Sequence, residues 1–150
     1  MVESNEEPES NHEHSVLVGR TELTLQQLGM LQSSVPRLML EVSARFSRGY
    51  HAGKAKNARL ARFQIGEGAK LLRLCAVVQP RYADAISQFM TEQVEPLREL
   101  LGNEQWNELD SAWDELTKEV NRWHDEFDHG FLVWKVSNDP PSDLDLSPQG

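Results

Sequence analysis

The chain has 150 residues, of which 39% are apolar, and a formal net charge of −9. This length and apolar content suit one domain with an ordinary core. No apolar run approaches the ~18 residues that indicate a membrane span, so we expect no membrane insertion. Much of the acidity lies at the ends, because residues 1–15 hold five Glu and residues 137–150 hold three Asp, both without Lys or Arg.

The rest of the charge is divided between two halves of the chain. Residues 37–73 hold nine Lys or Arg against two Glu, whereas residues 81–136 hold thirteen acidic residues against five basic ones. The halves can pack side by side and pair their charges on the surface. Alternatively, the basic half can attract an anionic ligand or an acidic partner through Arg45, Arg48, Lys54, Lys56, Arg59 and Arg62. Without net positive charge between the tails, and without a nucleic-acid motif, we expect no nucleic-acid partner.

Composition divides the chain into three parts. Residues 1–19 are expected to be a disordered acidic tail, residues 20–136 a helical domain, and residues 137–150 a second disordered tail, because both ends combine charge with low hydrophobicity.

The sequence allows two interpretations of where the protein is located. If Met1 is the native start, the acidic beginning is unlike a secretory signal and a cytoplasmic protein is expected, whereas removal of an upstream signal predicts a periplasmic one.

Four helical segments are predicted within the domain. In the first, Thr24 and Gln27 have the spacing of a capping box, and apolar residues at helical spacing continue past Pro36, which should kink or split the helix. Asn57 is expected to cap the second segment, which ends shortly before Pro80. The residues expected to be buried on this second segment are Leu60, Phe63, Leu71, Leu74 and Val78.

The third segment covers about residues 81–101, with a kink expected at Pro96. Asn103 is expected to cap the fourth, whose apolar residues alternate at spacings of 3 and 4, as in a bundle helix. These residues are Trp106, Leu109, Trp113, Leu116, Val120, Trp123 and Phe127. An all-α, up-and-down four-helix bundle is the simplest architecture. Residues 131–136 should leave it as an extended segment over its surface.

Two stretches of the chain carry a family resemblance. The fourth segment ends in Val120-Asn121-Arg122-Trp123-His124, followed by His129-Gly130-Phe131-Leu132-Val133. Upstream, the matching positions are Arg45, Ala52-Gly53, Asn57, Leu60-Ala61 and Phe63. Over about residues 25–141 the sequence resembles small exported helical cytochromes, related in architecture to cytochrome c-prime, which have Cys-Asn-x-Cys-His on the fourth helix.

The departures from this family bear on its chemistry. In the family, two cysteines bond the haem and the following histidine ligates the iron. Val120 and Trp123 replace both cysteines here, and only His124 remains. The resemblance therefore implies a relative that cannot hold covalent haem. Trp123 and Phe46 are expected to occupy part of the former haem cavity. Full occupation would leave a solid core, and incomplete occupation would leave a partly apolar pocket with Arg45 and His124 as polar groups near it.

Two further sites follow from the residues themselves. His124 and Asp128 are spaced i, i+4 on a helix and could bind a metal or non-covalent haem, although the surrounding run lacks a recognised metal-site spacing. Lys54, Lys56 and Arg59 lie around the predicted N-terminus of the second helix and could hold an anion there.

No nucleophile with a base, paired catalytic acids or phosphate loop can be read from the chain, so we expect no enzymatic activity. The leading hypothesis is a haem-less helical bundle without a cofactor, acting as a binding or protein-interaction module with a protein partner or a second copy as a dimer. The alternative is a ligand-binding module that holds non-covalent haem, a metal or a small apolar ligand near Trp123 and His124. Cys75, the only cysteine, lies in an apolar run and should be a buried thiol.

Overall fold

A computed structural model describes residues 14–150. The described chain is mostly helical, with one small sheet. It divides into two compact units, of which the first ends at Ser33 and the second begins at Ser34. Within the described residues, no helix is long and apolar enough to cross a membrane.

The first unit contains a β-hairpin and a short helix. Strands β1 (Ser15–Val18) and β2 (Thr21–Thr24) pair antiparallel, and Gly19 takes a left-handed φ of 62° in the turn between them. The expected disordered tail of residues 1–19 therefore does not extend through β1, and its first 13 residues lie outside the described chain. Of the two helix starts that the sequence offers, near Thr21 or near Thr24, the second is confirmed, because β-branched residues on both sides of the turn pair as strands up to Thr24.

Helix α1 (Leu25–Leu31) begins with the predicted capping box. Thr24 Oγ1 accepts a hydrogen bond from Gln27 N at 3.1 Å, and Gln27 Oε1 accepts one from Thr24 N at 2.9 Å. Helix α2 (Val35–Lys54) has Pro36 in its first turn. Pro36 therefore marks a new helix start rather than a kink, because a first-turn residue needs no intrahelical donor.

The second unit is built on the pair formed by α2 and α3 (Ala58–Val78). Asn57 caps α3 as predicted, since its Oδ1 accepts from Leu60 N at 3.0 Å. The face of α3 predicted to be buried is wrong in part, because Phe63 is 55% exposed and Leu74 is 44% exposed. The buried residues are Ala61, Gln64, Ile65, Gly68, Ala69, Leu72 and Cys75.

Small residues explain which face of α3 is buried. A Cβ atom added at Gly68 would lie 2.6 Å from Phe46 Cε1, and one at Gly49 would lie 2.6 Å from Ile65 Cδ1. Each glycine therefore accepts a large side chain of the opposite helix, which allows α2 and α3 to approach closely. Close packing of the backbones outweighs the burial of the larger side chains on the other face of α3.

The third predicted segment is helical but interrupted. A 3₁₀ turn (Pro80–Tyr82) leads into α4 (Ala83–Phe89), a single π turn (Met90–Val94) and α5 (Glu95–Gly102). The π turn lies directly before Pro96, where the helix lacks one backbone donor. The buried apolar residues of this segment are Ala85, Ile86, Phe89, Met90, Val94, Leu97 and Leu101.

Helix α6 (Leu109–Glu126) follows a 3₁₀ turn at Trp106–Glu108. The prediction that Asn103 caps this helix is wrong, because Asn103 ends α5, its N–H donating to Glu99 O at 2.9 Å. The predicted apolar seam is buried only in its middle, since Trp106 at its start is half-buried. Leu109, Trp113 and Leu116 are buried, whereas the side chains at 120, 123 and 127 are half-buried.

The chain after α6 crosses from that helix to α2. The Asn121 side chain donates to Trp134 O at 3.0 Å and accepts from Trp134 N at 2.7 Å, while Trp134 Nε1 donates to Ser43 Oγ at 2.8 Å. Residues 131–136 thus lie over the helices, as predicted for this segment.

Residues 137–150 differ from the expected disordered tail. Asn57 Nδ2 donates to the Leu146 and Ser147 carbonyls at 3.3 and 3.1 Å, and the Arg48 guanidinium pairs with the Asp143 carboxylate at 2.9 Å. The one amide of Asn57 therefore both caps α3 and holds the C-terminal segment.

Candidate functional site

A groove of about 1170 Å³ opens on the second unit between the first half of α2, helix α4 and the last turns of α6. Residues 129 and 132–134 line its remaining side. Ligand sites typically measure about 300–1,000 Å³ and are mostly apolar with a few polar groups, so this groove has the expected character and is slightly larger than that range. Its apolar lining includes Phe46, Ile86, Phe89, Val120, Trp123 and Phe127.

The groove contains most of the residues that the resemblance assigns to a former haem cavity. Phe46, Val120, Trp123 and His124 all line it. Arg45 does not, because its guanidinium donates to Gln64 Oε1 at 3.2 Å and lies 3.5 Å from a Glu41 carboxylate oxygen. Phe46 and residues 120, 123 and 124 therefore line the same groove, although they are more than 70 residues apart in the sequence.

The two aromatic residues expected to fill the cavity are part of its wall. Phe46 is 2% exposed, and its ring meets Trp113 edge-on with 6.4 Å between centroids. Trp123 is stacked on Phe127 with 6.0 Å between centroids, and the Arg122 guanidinium lies 4.1 Å from the Trp123 ring centroid. These contacts hold both rings against neighbouring side chains and leave the space beside them open.

Two histidines line the groove in defined tautomers. His124 Nδ1 lies 2.8 Å from Leu132 O, and His129 Nδ1 lies 2.7 Å from Phe127 O. A carbonyl oxygen only accepts hydrogen bonds, so each Nδ1 carries the proton. In the neutral rings, the lone pair is therefore on Nε2.

The charged side chains in the groove lining are all basic or imidazole groups. Arg37 and Arg81 line it, and no Asp or Glu of the described chain, residues 14–150, does. The first turn of α2 also belongs to the wall, and a helix N-terminus carries partial positive charge. Among the described residues, the side chains that line this groove are therefore cationic or neutral, although the whole chain is acidic.

The structure adds no further metal ligand to the predicted pair His124 and Asp128 among the described residues. Within residues 14–150, no three His, Cys, Asp or Glu side chains lie close enough to hold a metal ion together. Asp128 has a left-handed φ of 61° just beyond α6 and is not part of the groove lining, whereas His124 is. The chain turns between the two positions, so the i, i+4 spacing no longer describes one helix face.

The predicted anion site has part of its polar groups in other contacts, because Lys54 is paired and Asn57 caps α3, whereas Arg59 has no carboxylate within 4.0 Å among residues 34–150. Lys54 Nζ lies 3.0 Å from Asp110 Oδ1, and the hydrogen bond and charge of Asp110 raise the pKa of Lys54. Lys56 has a left-handed φ of 59° in the turn before α3, and Asn57 already caps that helix. Among residues 34–150, the Lys54–Asp110 pair is the one ion pair that joins the basic and acidic halves.

Cys75 is fully buried on α3, as predicted, and burial raises the pKa of its thiol. The neutral thiol is therefore favoured in the folded protein, which disfavours a nucleophilic role.

Sequence reasoning missed Arg37, Arg81 and the α4 side of the groove. The available signal was the position of both arginines beside prolines, at Pro36 and Pro80, where helical segments were expected to begin or break. No protein-family model, curated protein or solved structure matches this chain. The resemblance to helical cytochromes thus stays a prediction from the residues quoted above.

Proposed function

We propose that this protein is a non-catalytic, haem-less binding module whose groove holds a small apolar ligand beside Trp123 and His124. The observation that carries this proposal is the open, largely apolar groove with Val120 and Trp123 in its wall. In this proposal α2, α3, the α4–α5 segment and α6 correspond to the four members of an up-and-down bundle, and the groove lies at one end of it.

Exposed apolar side chains in the groove lining support the proposal that the groove binds a ligand. Leu40 is 75% exposed, Leu132 is 50% exposed and Val133 is 75% exposed, and all three belong to the lining. Covering apolar surface stabilises a complex by roughly 25 cal/mol per Å² before the costs of association. A contiguous apolar surface of this kind marks a binding site for a ligand or a partner.

A neutral, environment-sensitive dye tests this proposal. Nile red should bind saturably with one dye per chain, shift its emission to shorter wavelength, and show a dissociation constant in the micromolar range, about −7 to −8 kcal/mol. The same chain unfolded in guanidinium is the control and should give no saturable shift. Absence of saturable binding to the folded protein would contradict the proposal, and a change of molar mass by light scattering would favour a partner or second copy as the occupant.

Non-covalent haem is a second candidate, favoured by the His124 tautomer. With Nδ1 donating to the Leu132 carbonyl, Nε2 is the nitrogen left to ligate iron, and metal-bound histidines commonly donate their other N–H to such an acceptor. Val120 and Trp123 do not fit thioether attachment, so haem here would be held without covalent bonds. Bound haem would supply redox chemistry. The chain itself would contribute His124 as the iron ligand and the apolar wall of the groove.

Haemin titration tests that candidate. The wild-type chain should produce a shifted Soret band that acid-acetone extraction removes, and His124→Ala should abolish the shift because it deletes the ligating nitrogen. His51→Ala is the matched control, since His51 contacts the Ser137 carbonyl and lies outside the groove lining. Equal Soret spectra for wild type and His124→Ala would rule out ligation by His124, while Nile red binding would remain as a separate result.

A further inference from the structure

The distribution of charge around the groove is unlike that of the whole chain. Acidic residues outnumber Lys and Arg by 24 to 15 in the sequence, yet none of the residues from 14 to 150 that line the groove is acidic. The two lining residues with a permanent charge, Arg37 and Arg81, are both exposed. They therefore lie where the apolar groove meets solvent.

These two arginines also lack a carboxylate partner. Arg45, Arg48 and Arg122 each pair with an Asp or Glu at 2.9–3.5 Å, whereas among residues 34–150 no carboxylate lies within 4.0 Å of Arg37 or Arg81. The guanidinium of Arg81 instead lies 4.7 Å from the centroid of the Tyr82 ring, which also lines the groove. Arg81 Nη2 also donates a hydrogen bond to the Tyr82 hydroxyl, so one N–H group is used locally, and among residues 34–150 no ion pair uses the others.

We infer that the groove takes a single-chain amphipathic acid, with its apolar chain against Val120 and Trp123 and its anionic head group at Arg37 and Arg81. This inference rests on the proposed function and adds the chemical class of the ligand. A guanidinium binds carboxylate or phosphate through two parallel hydrogen bonds, which gives geometric selectivity as well as attraction. The absence of acidic side chains from the lining removes the repulsion that such a head group would otherwise meet.

Competition with Nile red by two ligands of equal chain length tests the inference. Decanoate and decanol, used below their aggregation limits, share the apolar chain and differ in the charged head group. Decanoate should displace the dye at least tenfold more effectively than decanol, because hydrogen bonds to charged groups are the stronger class. The double variant Arg37→Gln/Arg81→Gln should weaken decanoate about tenfold or more and change decanol less than twofold.

Arg59→Gln is the matched control. Arg59 is exposed, lies outside the groove lining, and has no carboxylate within 4.0 Å among residues 34–150, so its replacement changes net charge without touching the groove. Decanoate binding should be nearly unchanged in this variant. An equal loss of decanoate affinity in Arg59→Gln and in the double variant would overturn the inference. It would show that arginine charges attract decanoate only at long range, without contact in the groove.

The remaining outcomes separate the inference from the proposed function. If decanoate and decanol displace the dye equally and the arginine substitutions have no effect, the head-group inference is overturned while the apolar groove stands. If neither ligand displaces the dye and the dye itself does not bind, the proposed function fails first. Decyl phosphate provides a second acid. Weaker binding of either acid to the Arg37→Gln/Arg81→Gln variant supports the inference. The acid that binds more tightly to wild type identifies the preferred head group.

Discussion

Gly68→Ala is expected to lower the free energy of unfolding by up to about 2 kcal/mol, because overpacking a close-packed core costs about 1–3 kcal/mol and the helix preference of alanine offsets about 1 kcal/mol of it. The new methyl group would lie 2.6 Å from Phe46 Cε1 and 2.8 Å from Phe46 Cδ1. Phe46 is 2% exposed and cannot turn into solvent, so α2 and α3 would have to separate. The intrinsic gain of about 1 kcal/mol for replacing glycine by alanine in a helix is smaller than this cost.

Gly66→Ala is the matched control for this prediction. Gly66 lies two residues earlier on α3, and the nearest atom to an added Cβ is Arg98 Nη2 at 3.8 Å, an ordinary contact. This variant should be more stable than wild type by about 0.5–1 kcal/mol. Guanidinium denaturation of both variants measures the difference. If Gly68→Ala is as stable as Gly66→Ala, the close approach of α2 and α3 at Phe46 is wrong.

Local signals in the sequence predicted helix ends well where a side chain or a proline acts on its own backbone. The Thr24–Gln27 box, the Asn57 cap and the break at Pro36 depend on residues within four positions of each other. The Asn103 cap failed because the same residue type also ends helices, and the 3₁₀ turn that follows delays the start of α6 to Leu109.

The buried face of α3 could not be predicted from hydrophobicity, because glycine and alanine contribute little to an apolar pattern. Gly68 and Ala61 select the face by allowing close packing, and this depends on Phe46 of another helix. Phe63 and Leu74 are consequently exposed, although they are the larger apolar side chains.

The candidate site was predicted in part. Phe46, Val120, Trp123 and His124 were grouped through the resemblance, and all four line one groove. Whether that space is open depends on how Trp123 and Phe127 stack. The spacing of apolar residues in the sequence does not predict this stacking. Arg37 and Arg81 reach the same groove from helix starts about 44 positions apart, so only the tertiary arrangement brings them together.

A larger side chain on the α4 wall should block the groove. Ala85 is 8% exposed and lines the groove beside Ile86 and Phe89. In Ala85→Phe, the added ring has the open groove beside it and would occupy the space proposed for the ligand. We expect an affinity loss of at least tenfold, which corresponds to about 1.4 kcal/mol or more. Ala83→Phe is the control, because Ala83 is half-buried on the same helix and outside the groove lining.

The most direct test of an open, ligand-binding groove is therefore Nile red titration of wild type, Ala85→Phe and Ala83→Phe, each with folding checked by circular dichroism. The structure predicts that Ala85→Phe binds the dye at least tenfold more weakly than wild type, while Ala83→Phe binds it within about twofold of wild type. Equal affinity in all three folded proteins would contradict the assignment of this groove as the binding site.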